Sequence, residues 1–349
     1  MIKPLVKILL LFFLSLVLVF AAASFYFHSW LSSPVALQED YIYSVKKGAT
    51  LYSVSRDLKN KNIIKFPYVW VHYAKLKNLT KIKAGEYSLE GSITPLSLLH
   101  LFNSDDVIRY SITFVEGQTF KNMLDVLYQH ERINKKLSGL TQAELIQKLG
   151  MPVENVEGWF FPDTYSYTAS DTDESLLRLA YSRMQNVLDE EWQLRSENLP
   201  YKTPYEALIM ASIVEKETGA AFERDLIAGV FVRRLQLNMR LQTDPTTIYG
   251  MGERYKGNIT RSDLKEATPY NTYVIKGLPP TPIAMPGREA IHAALHPAPG
   301  TALYFVAKGD GTHHFSDSIE EHNNAVRKYQ LKRKANYRSA PSASTEISE

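Results

Sequence analysis

No cysteine occurs anywhere in the chain. Disulfides, thiolate metal sites and a cysteine nucleophile are therefore excluded. Charge of one sign is also lacking: 40 Lys and Arg stand against 37 Asp and Glu, a formal net charge of +3. That is too small a surplus to indicate nucleic-acid binding. The CxxC pair, the phosphate-binding P-loop and the glycine-rich dinucleotide fingerprint are missing, so no cofactor is expected. A zincin would need H-E-x-x-H, but Ala293 follows His292. His292 and His296 are spaced for one helix face and His313 and His314 are adjacent, yet no acidic third ligand accompanies them in the sequence. Metal-dependent hydrolysis is set aside on that ground, and no metal site is expected.

Apolar runs are short with one exception. Residues 8–27, ILLLFFLSLVLVFAAASFYF, carry no charge, and at helical rise such a run just spans a bilayer core. Ala21-Ala22-Ala23 would suit signal-peptide cleavage. The apolar run continues past them through Phe25, Tyr26 and Phe27, however, which favours an uncleaved anchor with an interfacial aromatic cluster. Lys3 and Lys7 precede the run and Glu39 and Asp40 follow it, so the N-terminus is expected in the cytoplasm and the rest outside.

With 349 residues, 45% hydrophobic and 22% charged, the chain has room for two or three domains. The expected divisions are a cytoplasmic stub 1–7, a transmembrane helix 8–27, a linker 28–40, a module 41–109, an intermediate α/β segment 110–200 packed on the catalytic part, a catalytic core 201–334 and a disordered tail 335–349. In the module, YSVKKGATLYSVSRDL predicts a strand, a turn at Gly48 and a helix capped by Thr50. FPYVWVHYAKL predicts a second helix and KAGEYSL a returning strand. ITFVEGQTFKNMLDVL repeats the opening with Gly117 and Thr119. EGWFFPDTYSY at 157–167 is either aromatic core or a sugar-stacking platform. Helices are predicted over 173–197 and 220–239, the latter with Arg233 and Arg234 outward. An irregular Gly-, Pro- and Thr-rich stretch then runs to 287. GREAIHAALHP predicts a helix, TALYFVAK and GTHHFSDS a hairpin, and Ser318–Lys332 a last helix.

The organising stretch is TPYEALIMASIVEKETG at 203–219. Thr203 and Glu206 have capping-box spacing, Pro204 suits the first helical position and Gly219 the position beyond the end. The body, Ala207 to Val214, is apolar on every side, as in a buried helix. Glu217 shares a face with Met210, Ile213 and Val214, and Glu215 shares one with Leu208, Ala211 and Ser212. A carboxyl on a dry face near the negative helix end should have a raised pKa, as a general acid needs. Helix geometry alone also leaves open that both are last-turn glutamates reaching solvent.

ASIVEKETG, with ERDLIAGVFVRRL, MRLQTDPTTIYGMGERY, YNTY, GLPPTPIAMPG and the upstream EGWFFPDTY, closely resembles the endolytic murein transglycosylase, or YceG-like, family. Several separate motifs appear in the right order, almost without gaps from about 200 to 330. The resemblance implies that Glu217, the second glutamate of EKE, is the catalytic acid, and its E-T dipeptide is similar to the E-S of other lytic transglycosylases. It implies an α+β fold with a single N-terminal transmembrane helix and a mixed α/β catalytic domain that has a lysozyme-like helical active-site region. The module at 41–109 resembles a LysM βααβ unit through Gly48-x-Thr50-Leu51, though it is longer than usual; a spacer is the alternative. Gln242, Thr243, Asp244, Tyr270, Asn271 and Tyr273 are candidate substrate contacts in the loops, where each could equally hold the loops in shape.

The implied reaction is endolytic cleavage of the MurNAc–GlcNAc β-1,4 bond of peptidoglycan, leaving 1,6-anhydro-MurNAc ends. Implied partners are glycan strands, the membrane and neighbouring peptidoglycan synthases, with a role in cell-wall synthesis and the catalytic part periplasmic, on the inner membrane. A membrane-anchored, non-catalytic glycan-binding scaffold is the competing reading. The topology has a direct check: a cytoplasm-only reporter fused after Glu349 should be inactive, and an active fusion would reverse the orientation.

Overall fold

The structure, a computed structural model, describes residues 4–35, 37 and 41–331. Lys3, Glu39, Asp40 and the tail 335–349 lie outside the described residues. The chain is mixed α and β and divides into two compact units: the chain to Tyr110 with Ser166–Asp171, and Ser111–Tyr165 with the chain from Thr172. The division passes through two short strands, Tyr110–Thr113 and Thr164–Tyr167.

In the first unit the apolar run lies within one helix, Pro4–Leu31. Its large apolar side chains between Ile8 and Tyr26 are exposed, and by length and composition it can cross a membrane. The helix outruns the predicted span at both ends, and its last residue, Leu31, is buried among the core residues of the following module. Helical structure therefore enters the predicted linker. The module runs strand Tyr41–Val45, helix Leu51–Asn60, helix Pro67–Leu76, strand Gly85–Leu89. Its strands pair antiparallel with Tyr43 opposite Tyr87. Thr50 caps the first helix by accepting from the Ser53 N–H at 3.1 Å, as its position before an apolar-periodic run requires. Trp70 is fully buried, and its indole N–H donates to the Pro95 carbonyl at 2.7 Å. Pro95 opens a helix to Asn103 that the sequence reading did not anticipate.

The second unit is built around the helix Pro204–Glu217. Ala207, Leu208, Ile209, Met210, Ala211, Ile213 and Val214 are all buried. Around them pack the helices Arg288–Leu295, Arg224–Gln236, Asp173–Gln193 and Asp244–Met251. Burying a Leu, Ile or Met side chain stabilises by roughly 1.5–3 kcal/mol, so this helix is held mainly by its neighbours. Ser212, polar amid that core, donates to the Ile209 carbonyl at 2.7 Å and accepts from the Ile283 N–H at 3.0 Å. Both ends differ from expectation. Thr203 caps the Glu206 N–H, but the Glu206 carboxylate turns to the Lys202 N–H. The helix stops at Thr218, which is extended (φ −142°), and the Thr218 hydroxyl accepts from the Ala220 N–H at 2.9 Å. Gly219 is not needed as a left-handed cap.

The strand–glycine–threonine pattern at 110–129 recurs as read, with Gly117 at φ +72° and a helix Phe120–Gln129. Its N-terminus is held by Glu157: the buried carboxylate accepts from the Phe120 N–H at 2.9 Å and from the Tyr249 hydroxyl at 3.1 Å. Burial pushes the Glu157 pKa up to about 7, against the pull of those hydrogen bonds. Phe160, Phe161 and Tyr165 are buried, so these aromatics are core. Trp159 is half-buried and stacks on Tyr205 with centroids 5.5 Å apart. The stretch predicted irregular contains a helix, Asp244–Met251, opened by Pro245. The C-terminal hairpin pairs Tyr304–Ala307 with His313–Ser316, and the helix Ile319–Tyr329 follows.

Gly158 sits at φ +82°, and a Cβ there would lie 2.5 Å from the Pro282 ring. Strained backbone and overpacking coincide at this position. Gly158→Ala should therefore cost at least about 2 kcal/mol, read as a lowered melting temperature.

Candidate active site

Glu217 ends the central helix where its apolar packing stops. It is half-buried and opens on a cavity of about 600 Å³. Gln242, Thr243, Asp244 and Tyr273 line the same cavity, so four of the six loop residues singled out by sequence converge on Glu217. The Thr243 hydroxyl donates to Glu217 Oε1. Tyr273 donates its hydroxyl to Asp244 Oδ1 at 2.6 Å. Burial is the main cause of a Glu217 pKa pushed up to about 7; the Asp244 charge adds to the rise and the Thr243 hydrogen bond opposes it. Near neutral pH this group can both give and take a proton.

Glu215 has a different position. Its Oε2 accepts from the Gly287 N–H at 3.0 Å, and it does not line the cavity. Burial raises its pKa too, with the Gly287 hydrogen bond opposing and the Glu116 charge assisting. Packing thus separates the two glutamates: one faces open space and the other fastens a loop.

Tyr270 and Asn271, the other two, do not line the cavity. Asn271 is buried, and its amide nitrogen donates to the carbonyls of Asp263 and Glu266 at 3.0 and 2.8 Å. Its Oδ1 accepts from the Thr247 hydroxyl at 3.2 Å and the Tyr273 N–H at 3.1 Å. It shapes the loop that presents Tyr273. Tyr270 packs on Tyr249, and its hydroxyl meets Thr281 at 2.9 Å. Behind the cavity, Thr243, Thr246 and Thr272 form a buried hydroxyl cluster: the Thr243 N–H donates to Thr272 Oγ1 at 3.0 Å, and Thr246 Oγ1 meets Thr272 Oγ1 at 2.8 Å.

Arg234 is a correction to the sequence reading. It does not face outward but is buried and lines the cavity. Its guanidinium donates to the carbonyls of Leu303, Arg240 and Leu241 at 2.7, 3.0 and 2.9 Å, and to Gln242 Oε1 at 3.2 Å. Gln242 is thereby held at φ +55°, a left-handed conformation uncommon for a side chain of its size. Arg233 is also turned inward, donating to the carbonyls of Ala302 and Ala298 at 2.8 and 3.0 Å. No periodicity signal marks arginines whose partners include carbonyls 65 to 69 residues further on.

The histidines separate in the same way. His313 lines the Glu217 cavity and is locked to buried Glu223, which accepts from its N–H at 2.9 Å and meets Nδ1 at 2.8 Å. His292 and His296 lie elsewhere, and the third acidic group that the sequence did not supply is there: Glu191, from the helix Asp173–Gln193.

With this geometry, comparison with known proteins is decisive. A family model described as the YceG-like family matches residues 43–328. The chain belongs to the YceG-like family. A relative from Bacillus subtilis (strain 168), named endolytic murein transglycosylase, is 30% identical over 304 residues, covering 82% of this chain and 84% of the relative. One of the same name from Streptococcus pneumoniae serotype 2 (strain D39 / NCTC 7466) is 28% identical over 318 residues; the match covers 81% of this chain but 57% of that longer protein. The crystal structure of a YceG-like protein from Listeria monocytogenes aligns with TM-score 0.52 at 27% identity, over 82% of this chain and 99% of that one. This YceG-like chain thus shares the fold of that YceG-like structure and is mixed α and β.

The Glu217 pKa has a consequence for stability. Its ordinary value of 4.5 rises to about 7 in the folded state, so the fold favours the neutral carboxyl. The penalty for ionising it is absent below 4.5, grows as pH rises and is complete above about 7. Glu217→Gln should therefore melt higher than the wild type at pH 8, with the difference vanishing near pH 4.5; thermal unfolding across that range is the check.

Proposed function

We propose that this YceG-like chain is an endolytic lytic transglycosylase of peptidoglycan, a carbon–oxygen lyase with Glu217 as its catalytic acid and base. The observation that carries the reading is the position of Glu217: a carboxyl with pKa about 7, facing a cavity of about 600 Å³; the sequence resemblance assigns the acid to the same residue. The relatives' name, endolytic murein transglycosylase, supplies the substrate class.

Glu217 protonates the oxygen of the MurNAc–GlcNAc bond, and the GlcNAc side leaves. The carboxylate so formed takes the proton from the C6 hydroxyl of the same MurNAc as that oxygen attacks C1, closing the 1,6-anhydro ring. The proton balance closes on one side chain, so no second catalytic carboxylate is required. The Thr243 hydroxyl orients Glu217 Oε1 and stabilises its charged state between the two transfers. Gln242, Asp244 and Tyr273 are assigned to the glycan.

The finer assignments belong to the same reading. The helix Pro4–Leu31 anchors the protein in the inner membrane, with the N-terminus cytoplasmic and the remainder periplasmic. The βααβ module is LysM-like and meets glycan or acts as a spacer. Residues 201–334 form the catalytic core, with a lysozyme-like helical active-site region. Peptidoglycan synthases are its neighbours in cell-wall synthesis, where it ends nascent strands.

A hydrolytic reading has one observation in its favour, that Asp244 shares the cavity with Glu217 and could activate water. Product chemistry separates the two. Detergent-solubilised full-length protein acting on murein sacculi should leave ends one water lighter than hydrolysis would, read by mass spectrometry. Glu217→Gln should lower the rate by roughly 10²- to 10⁴-fold, and Glu215→Gln should keep most of it. Reducing ends would favour the hydrolase, and unchanged glycan would favour the non-catalytic scaffold.

A further inference from the structure

We propose that Glu191, His292 and His296 form a binding site for one divalent transition ion of the zinc class, separate from the Glu217 cavity. His292 and His296 stand one turn apart at the end of the helix Arg288–Leu295, His296 being its C-cap. Their rings stack with centroids 4.2 Å apart at 26°. Glu191, buried on the helix Asp173–Gln193, places Oε2 2.8 Å from His292 Nδ1. One ligand atom from each of the three residues lies within 4.8 Å of the others. Two imidazoles and a carboxylate are a donor set that zinc accepts, with positions left for water.

The surroundings suit a cation. His296 has no strong protein partner: Nδ1 is 3.5 Å from Ser196 Oγ, and Nε2 is shielded from solvent with no hydrogen-bond partner among the described residues. A buried imidazole nitrogen without a partner calls for a water or an ion. Glu191 Oε1 accepts from Arg288 Nη1 at 2.8 Å, which orients the carboxylate as an outer hydrogen bond orients a metal ligand and leaves Oε2 toward the histidines. The Arg288 charge is shared with Glu190, at 2.6 Å. The site opens on a hollow of about 480 Å³ where Glu191, Asp225 and Glu289 outnumber Arg224 and Arg288. The ion ties the helix Asp173–Gln193 to the helix Arg288–Leu295, which packs directly on the helix that carries Glu217.

The test is titration of metal-stripped full-length protein with Zn²⁺ against a chromophoric chelator, with melting temperature read in parallel. One equivalent should bind, and at a hundredfold excess over Kd the melting temperature should rise by roughly 5–10 °C. His292→Ala removes a largely exposed ring, so folding is spared, and should weaken binding by at least about tenfold and cut the thermal shift at the same Zn²⁺ concentration to roughly half or less. Glu191→Gln should act in the same direction. Absence of Zn²⁺ binding, or binding unchanged in His292→Ala, would overturn the site.

Discussion

A helix with no polar side has to be surrounded on every side, and the second unit of this chain is arranged around that requirement. From Ala207 to Val214 each apolar side chain is buried, which calls four other helices to its flanks. The polar exception, Ser212, is satisfied by a carbonyl and by the Ile283 N–H, since an unpaired hydroxyl there would cost a few kcal/mol. Where this packing ends, the last turn projects charged groups from a dry scaffold. The chemistry assigned to Glu217 follows from that: desolvation by the surrounding packing lifts its pKa toward neutrality.

The opposite wall of the cavity solves another problem. The chain from Met239 to Gly287 has few ladders to satisfy its backbone, so side chains take over that task. Arg234 answers two of its carbonyls, Asn271 two, and the threonines at 243, 246 and 272 answer one another. Residues that look like substrate contacts in a loop are partly the means by which the loop has a shape at all. Thr243 does both, since its backbone joins the cluster and its hydroxyl meets Glu217.

The two helices that carry Glu191 and the His292–His296 pair show how distant segments create chemistry that spacing cannot reveal. One turn of helix sets the histidines side by side, a local fact. Glu191 arrives from a helix about 100 residues earlier, and only the packing of the two helices brings it within reach.

The sequence by itself determined the elements whose causes are local. The apolar run from residue 8, the Thr50, Thr119 and Thr203 caps, the C-terminal hairpin and the buried body of the central helix could all be read, because capping and periodicity act within a few residues. It also marked Glu217 as the candidate acid, through the family resemblance on a face that periodicity made dry. Tertiary structure decided the rest. It separated Glu217 from Glu215, drew Arg233 and Arg234 inward, gave Asn271 its bonds inside the loop and ended the central helix at Thr218 without the glycine. The arginines and Glu215 turn on partners about 70 residues away, the Ala302 and Leu303 carbonyls and the Gly287 N–H, while Thr218 and Asn271 take most of theirs from the loop folded around them. Burial and hydrogen-bond satisfaction at such sites are properties of the packed molecule, to which a residue's near neighbours in sequence give no access.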